Sequence, residues 1–336
     1  MGRARLGRVK ARSVIFEAAR TVEVRSEEVT PNPNQVVVET TCSAVSAGTE
    51  MLIYSGHAPR EMEADVTLAS LGGSLDFPLK YGYCAVGQVV DTGADVSSHW
   101  IGKRAFAFHP HQSVFAAEPD DLVLLEDDIE DEAAVFLPNV ETAVSLVQDA
   151  RPLLGEKVCV FGQGVVGLLV TALLSRFPLS RLVTVEPVEQ RRELSRVVGA
   201  GESVTPEELG DRDFDLCFEL SGSPQTLNQV ITATGYGGRI LVGSWYGEKS
   251  APLKLGGSFH RSRISLMSSQ VSTLDPSLRG RWDKGRRMKV CLDLLKHLPL
   301  GRLITHRVPL EEAARAYQLL EERESGALQV LLSYKD

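Results

Sequence analysis

The chain has 336 residues, 43% of them hydrophobic and 24% charged, with a net charge of −8. That length holds two domains of ordinary size with a substantial core, and the acidic balance gives no reason to expect nucleic acid or an anionic membrane as a partner. No run of about 18 apolar residues marks a membrane span, and the start lacks the apolar stretch of a signal peptide, so a cytoplasmic, enzyme-sized protein is expected.

The first residues, MGRARLGRVKAR, carry Arg3, Arg5, Arg8, Lys10 and Arg12 and read as a short solvated basic tail. From about 11 to 135 the chain is β-rich, with short runs such as 35–40, 87–90 and 104–108 set off by Pro and Gly turns. From about 136 to 268 strands alternate with helices, the pattern of a parallel sheet covered on its faces. Strands are expected at 157–161, 182–185, 214–218 and 238–243, with helices at 168–174, 188–198 and near 224–234. Two further helices, near 283–297 and 310–324, precede a terminal strand at 328–332. The five cysteines, Cys42, Cys84, Cys159, Cys217 and Cys291, are scattered and include no Cys-x-x-Cys pair, which argues against both a disulfide framework and a four-cysteine zinc lobe.

The densest chemical signal is Gly162-Gln-Gly164-Val165-Val166-Gly167, which leaves the strand at 157–161 and opens a helix. An acid, Glu186, follows 19 residues after Gly167 at the tip of the next strand. Gly162 permits the tight turn, Gly164 lets backbone approach a pyrophosphate, and Gly167 lets the helix pack on the sheet. The helix N-terminus offers unpaired N–H groups and a positive dipole end to the phosphates. Glu186 accepts from both hydroxyls of an adenosine ribose and repels a 2′-phosphate, so NAD is expected, with NADP as the alternative. Arg191 and Arg192 just beyond it either grip a 2′-phosphate or lie on the exposed face of their helix.

A β-rich first part, a dinucleotide unit and a return to the first part resemble the medium-chain dehydrogenase/reductase superfamily. The resemblance is carried by Ala44-Val-Ser-Ala-Gly-Thr49, Gly82-Tyr-Cys-Ala-Val-Gly-Gln-Val-Val90, Gly93-Ala-Asp-Val96, Gly102-Lys-Arg104, the glycine motif and the run 304–317. It implies an α/β fold: a GroES-like β-rich barrel domain (1–135 and 270–336) beside a Rossmann doubly wound parallel-sheet domain (136–269), with the active cleft between them. Homodimers paired through the Rossmann sheet edge, near 263–269, are implied as well. A narrower likeness to the bacteriochlorophyllide dehydrogenase-like branch rests on Ser46-Ala-Gly-Thr-Glu50, Ser55-Gly-His-Ala-Pro59, Leu266-Met-Ser-Ser-Gln-Val-Ser272, Arg281-Trp282 and Arg286-Arg287.

The zinc alcohol dehydrogenases of that superfamily carry a cysteine in the first-domain loop and a His-Glu pair after the next glycine turn. By position this chain offers Ser46, then Tyr83-Cys84, then the neighbourhood of Pro138-Asn139. Hydroxyls are poor zinc ligands beside thiolate and imidazole. His109 and His111 share one face of an extended segment without a third ligand, so no zinc is expected and the substrate oxygen must be polarised by hydrogen bonds. Tyr83 and Ser46, with Thr49 on the same loop, are the candidate proton donors. His57 and His111 are candidates for lining the cleft or shuttling protons. Glu141 either faces the cleft or caps a helix.

By superfamily precedent Gly243, Ser244 and Ser269 lie near the nicotinamide. The basic cluster Arg279, Arg281, Lys284, Arg286 and Arg287 around Trp282 either receives an anion or is a solvated helix start. The expected activity is a zinc-independent NAD(P)-dependent alcohol dehydrogenase or ketone reductase acting on a small molecule. The alternatives are an NADPH-dependent enone or quinone reductase and a non-catalytic nucleotide-binding protein of the same fold.

Overall fold

The computed structural model describes residues 7–59, 72–210, 213–322 and 325–334. The chain divides into two units, Met1–Leu137 with Leu303–Asp336, and Pro138–Arg302. It opens with β1 (Val9–Ala18), β2 (Thr21–Val29) and β3 (Val36–Val45), followed by the short helix α1 (Thr49–Tyr54). Next come β4 (Leu79–Lys80), β5 (Ala85–Thr92), β6 (Arg104–Ala107), β7 (Val114–Ala117), β8 (Leu122–Leu124) and α2 (Asp131–Ala134). Helix α3 (Leu137–Ala150) leads into β9 (Lys157–Phe161), α4 (Val165–Leu174), β10 (Arg181–Val185), α5 (Glu189–Val197) and β11 (Glu202–Val204). The second unit continues through β12 (Phe214–Glu219), α6 (Leu227–Ala233), β13 (Thr234–Val242), β14 (Ser265–Ser268) and α7 (Lys284–His297). The chain then returns to the first unit with β15 (Ile304–Pro309), α8 (Ala313–Glu321) and β16 (Gln329–Ser333).

In the first unit, β3 changes neighbours along its length. Its first half pairs with β7, its second half with β16, and its other edge with β5, all antiparallel. Two register irregularities against β5 bend the strand, as bulges do where a sheet must curl. One core cluster joins β1, α1, α8 and β16, with Phe16 edge-on to Tyr317 at 5.1 Å and Tyr54 stacked on Tyr317 at 5.4 Å. A second lies among β3, β5, β6 and β7. The expected basic tail falls short of Arg12. Arg3 and Arg5 lie outside the described residues, but Lys10 and Arg12 already stand on β1, where Arg12 is tied to Glu311.

The second unit is a parallel sheet in the order β11-β10-β9-β12-β13-β14. Read from β9 as the first strand, this is 3-2-1-4-5-6, the doubly wound order whose reversal point lies between β9 and β12. Strands β9, β10 and β12 are nearly continuous apolar runs, as burial on both faces requires. Strand β13 starts at Thr234, earlier than the expected 238, because its pairing with β12 shifts register between Phe214 and Leu216 and takes in the glycines there. Strand β14 is an edge strand, with β13 as its neighbour and mostly exposed side chains.

Segment 270–302 goes with this second unit, whereas the sequence reading assigned it to the first. A buried ion pair gives the physical reason. Arg287 on α7 is 1% exposed and donates from Nε and Nη2 to Glu141 Oε1 (3.1 and 2.7 Å), and from Nη1 to Ser145 Oγ (2.7 Å), both on α3. Thus the Glu141 carboxylate is engaged by Arg287 within the second unit rather than by a helix cap, and Arg287 is no part of an exposed basic cluster. Arg286 remains exposed, with its guanidinium 4.1 Å over the Trp282 ring. No helix among the described residues is long and apolar enough to cross a membrane.

Candidate functional site

Two polar constellations stand out, one in each unit. In the first unit the chain leaves β3 at Val45, turns through Ser46–Gly48 and enters α1, whose first turn holds Glu50. Glu50 is fully buried, a position a carboxylate keeps only when its oxygens are met by donors. Oε1 accepts from Ser46 N at 2.9 Å, and Oε2 accepts from Tyr317 Oη at 2.7 Å and from His111 Nε2 at 2.9 Å. His111 is equally buried, and its Nδ1 meets Ser43 Oγ at 2.7 Å; Ser43 in turn meets Tyr334 Oη at 2.8 Å. A carboxylate oxygen only accepts, so His111 carries its proton on Nε2 toward Glu50.

This buried chain underlies the turn that bears Tyr83. Gly82 has φ +119°, and a Cβ there would stand 2.6 Å from the His111 ring. Glycine is required on both counts. The next residue, Tyr83, donates from Oη to Ser46 Oγ at 2.6 Å, and Thr49 N donates to the same oxygen at 3.3 Å. Burial and the neighbouring Cys84 push the Tyr83 phenol well above its ordinary pKa, so it holds its proton. Cys84 is held as a thiol in the same way, by burial and then by Glu50.

The structure therefore joins two of the expected first-unit hydroxyls, Ser46 and Tyr83, while Thr49 contributes its backbone N–H rather than its hydroxyl. His57 is exposed and bonded through Nδ1 to Ser55 Oγ. His111, expected to line a cleft, is sequestered beneath the Gly82 turn. His109 stacks on Phe115 at 4.0 Å, and burial lowers its pKa to about 4. The residues that sequence reasoning missed are Glu50 on α1, Ser43 on β3, Tyr317 on α8 and Tyr334 just after β16. The visible signal was an acid in the first turn of α1 within an otherwise buried segment. Hydroxyls stand at the positions that the resemblance assigned to zinc ligands, and among the described residues no three His, Cys, Asp or Glu side chains form a metal-ligand group.

In the second unit, Gly162 follows β9 with φ +89°, and a Cβ on it would strike Leu220 O and Ser221 Cα at 2.6 Å. A Cβ on Gly167 would lie 2.0 Å from Gly162 O, while one on Gly164 would enter open space. Helix α4 begins there with Gly164 at its N-cap and no side chain capping the first-turn N–H groups of Val165 and Val166. An open approach above Gly164 beside uncapped donors fits a pyrophosphate. Glu186, 4% exposed, accepts from Gln163 N through Oε2 (2.7 Å) and from Val188 N through Oε1 (3.0 Å). Each oxygen keeps a lone pair for a ribose hydroxyl. Arg192 is held on the carbonyls of Glu186 and Pro187, and Arg191 is half-buried on the same helix. Gly243 packs against Leu146 and Leu220, Ser244 Oγ accepts from Gly222 N, and Ser269 Oγ donates to Asp149 at 2.6 Å.

A mostly antiparallel unit joined to a 3-2-1-4-5-6 parallel unit is the fold of the medium-chain dehydrogenases. Over 97% of this chain it matches the crystal structure of 2R,3R-butanediol dehydrogenase from Bacillus subtilis, covering all of that chain, with a TM-score of 0.78 at 18% identity. An alcohol dehydrogenase from Escherichia coli complexed with NADH (TM-score 0.76, 17% identity, 97% of this chain and 99% of that one) has the same fold. So does a putative zinc-binding dehydrogenase from Sinorhizobium meliloti bound to NADP (0.76, 16%, 97% and 100%).

In sequence the chain is 25% identical over 92% of its length to the 2-desacetyl-2-hydroxyethyl bacteriochlorophyllide A dehydrogenase of Cereibacter sphaeroides, spanning 94% of that protein. It is 22% identical over 95% of its length to the L-threonine 3-dehydrogenase of Stenotrophomonas maltophilia, spanning 98% of that protein. No family model matches. The chain thus resembles the medium-chain dehydrogenase/reductase superfamily in both sequence and fold, as its motifs indicated.

Proposed function

We propose that the protein is an oxidoreductase that moves a hydride between a nicotinamide dinucleotide, preferentially NAD, and a secondary alcohol or its ketone, without zinc. The observation that carries the reading is the turn at Gly162–Gly167, open above Gly164 and flanked by the doubly anchored carboxylate of Glu186. The α4 N-terminus binds the pyrophosphate, and Glu186 takes the adenosine ribose hydroxyls and disfavours a 2′-phosphate. A bound nicotinamide supplies or accepts the hydride. The protein's own contribution to the chemistry is the proton at the substrate oxygen.

Ser46 Oγ receives hydrogen bonds from Tyr83 and Thr49. Both its lone pairs are engaged, so its own proton is directed elsewhere, to the substrate oxygen. In ketone reduction Ser46 gives its proton to the developing alkoxide, Tyr83 gives its own to Ser46, and a proton from solvent restores the resting phenol; alcohol oxidation runs the same transfers in reverse. Secondary alcohols are the favoured class because the names of the relatives, threonine 3-dehydrogenase, butanediol dehydrogenase and a hydroxyethyl-group dehydrogenase, designate that group.

The test is binding of NADH and NADPH followed by fluorescence, then turnover of L-threonine, butane-2,3-diol and 1-phenylethanol with NAD, with and without a strong chelator. NADH is expected to bind more tightly, and at least one alcohol to be oxidised at an unchanged rate in the chelator. No binding of either nucleotide sinks the whole reading, whereas activity lost to the chelator and restored by zinc sinks its metal-free part. Dimers paired through β14 belong to the same reading, and the mass in solution of that preparation checks them.

Gly164→Val is expected to leave the fold intact, since a Cβ there meets no protein atom within 4 Å, yet to fill the space needed by the pyrophosphate. NADH affinity should drop tenfold or more, about 1.4 kcal/mol. Unchanged affinity in the folded variant would move the binding site away from this turn.

A further inference from the structure

At the reversal point of the parallel sheet the strand ends of β9 and β12 are adjacent: Leu220 N donates to Phe161 O at 2.8 Å, and Gly162 lies against Leu220 and Ser221. The last residue of β12, Glu219, is fully buried. Its Oε1 accepts from Ser221 N at 2.9 Å and from Ser221 Oγ; its Oε2 accepts from Tyr246 Oη at 2.5 Å. Ser244 Oγ, accepting from Gly222 N at 2.9 Å, fastens the loop after β12 to the loop after β13. One buried carboxylate thereby organises both loops next to the phosphate turn.

The direction of these bonds fixes what the surface offers. A carboxylate only accepts, so the single O–H of Tyr246 points inward to Glu219. Burial, reinforced by Glu219, pushes the phenol far above its ordinary pKa and keeps that proton in place. Tyr246 is half-buried, and on the side away from Glu219 its oxygen carries lone pairs, so any ligand that meets it must bring a donor. In a dinucleotide laid across the reversal point, the adenosine ribose lies toward β10, where Glu186 stands, and the pyrophosphate lies on the Gly162 turn. The next group along, on the β12 side, is the second ribose, whose two hydroxyls are donors.

We infer that Tyr246 is a binding residue for the ribose of the nicotinamide half, accepting from one of its hydroxyls, and that Glu219 is the positioning residue that turns the phenol to that role. The inference rests on the dinucleotide reading above. It is tested without nicotinamide and without turnover by comparing ADP, which ends at the pyrophosphate, with ADP-ribose, which adds the second ribose. Affinities are measured by calorimetry for the wild-type protein, Tyr246→Phe and Glu219→Gln.

Wild-type protein is expected to prefer ADP-ribose. Tyr246→Phe should reduce that preference by about three- to tenfold, the scale of one hydrogen bond, with ADP affinity unchanged. Glu219→Gln should reduce it similarly, because an amide can donate to the phenol and turn its proton outward. Should Glu219→Gln not fold, the tyrosine variant decides. A preference retained in Tyr246→Phe, a loss shared equally by ADP and ADP-ribose, or no wild-type preference at all overturns the inference and leaves the dinucleotide reading standing. Failure of the wild-type protein to bind ADP or NADH overturns both.

Discussion

Glu50→Ala is expected to cost the first unit about 3–5 kcal/mol, the usual result of removing one partner from a fully buried charged network. Three donors lose their acceptor at once: Ser46 N, Tyr317 Oη and His111 Nε2. Against a typical stability of about 5–15 kcal/mol this is a large fraction, and the thermal transition of that unit should fall on the order of 10 °C. Glu50→Gln should be much milder. The amide keeps an acceptor, the Tyr317 hydroxyl can rotate to accept, and His111 can switch tautomer by donating from Nδ1 to Ser43. Hydrogen exchange resolved to the β3 and α8 amides separates this unit from the second one. Equal losses in the two variants would mean that bulk packing at Glu50, rather than the pairing of its donors, sets the stability.

The two constellations differ in how far the sequence reveals them. The dinucleotide turn is local: three glycines, a strand before and a helix after lie within the eighteen residues 157–174, and the acid follows at the next strand tip. Two of the three glycines have a steric reason within the protein, at Leu220 for Gly162 and at Gly162 O for Gly167, whereas the space above Gly164 is open. Periodicity likewise suffices for β9, β10 and β12, where doubly buried strands leave a nearly continuous apolar run. The network around Glu50 is non-local, since its members come from positions 43, 46, 50, 111, 317 and 334 and meet only because α8 and β16 return to β3. Nothing in the short-range pattern of Phe108-His-Pro-His-Gln112 distinguishes a histidine lining a cleft from one sealed beneath Gly82. The fate of Arg287 teaches the same lesson. In sequence it sits in a basic run, and only the packing of α7 on α3 selects it from its neighbours for Glu141. The second domain crossing was misplaced for that reason.

The hydroxyl pair yields the sharpest chemical expectation. Ser46→Ala removes the proposed donor to the substrate oxygen and should lower the rate of the chemical step by roughly a hundredfold or more, the scale of a positioned proton donor. Tyr83→Phe keeps the ring but removes the hydroxyl that resupplies Ser46 across 2.6 Å, and it should cost a comparable factor. NADH affinity should hardly move in either case, because the dinucleotide turn belongs to the other unit. Because the two hydroxyls act as one relay, their losses should not add: the double variant should be no slower than the slower single variant, within about threefold. Independent donors would multiply instead, giving about ten-thousandfold for the pair, since free energies of uncoupled groups sum. The measurement is the single-turnover rate of NADH oxidation with whichever ketone the wild-type protein reduces, for all four members of the cycle. A near-normal rate in Tyr83→Phe, with stability lost only in Tyr83→Ala, would reduce the tyrosine to a filler beneath the turn and leave Ser46 as the sole donor.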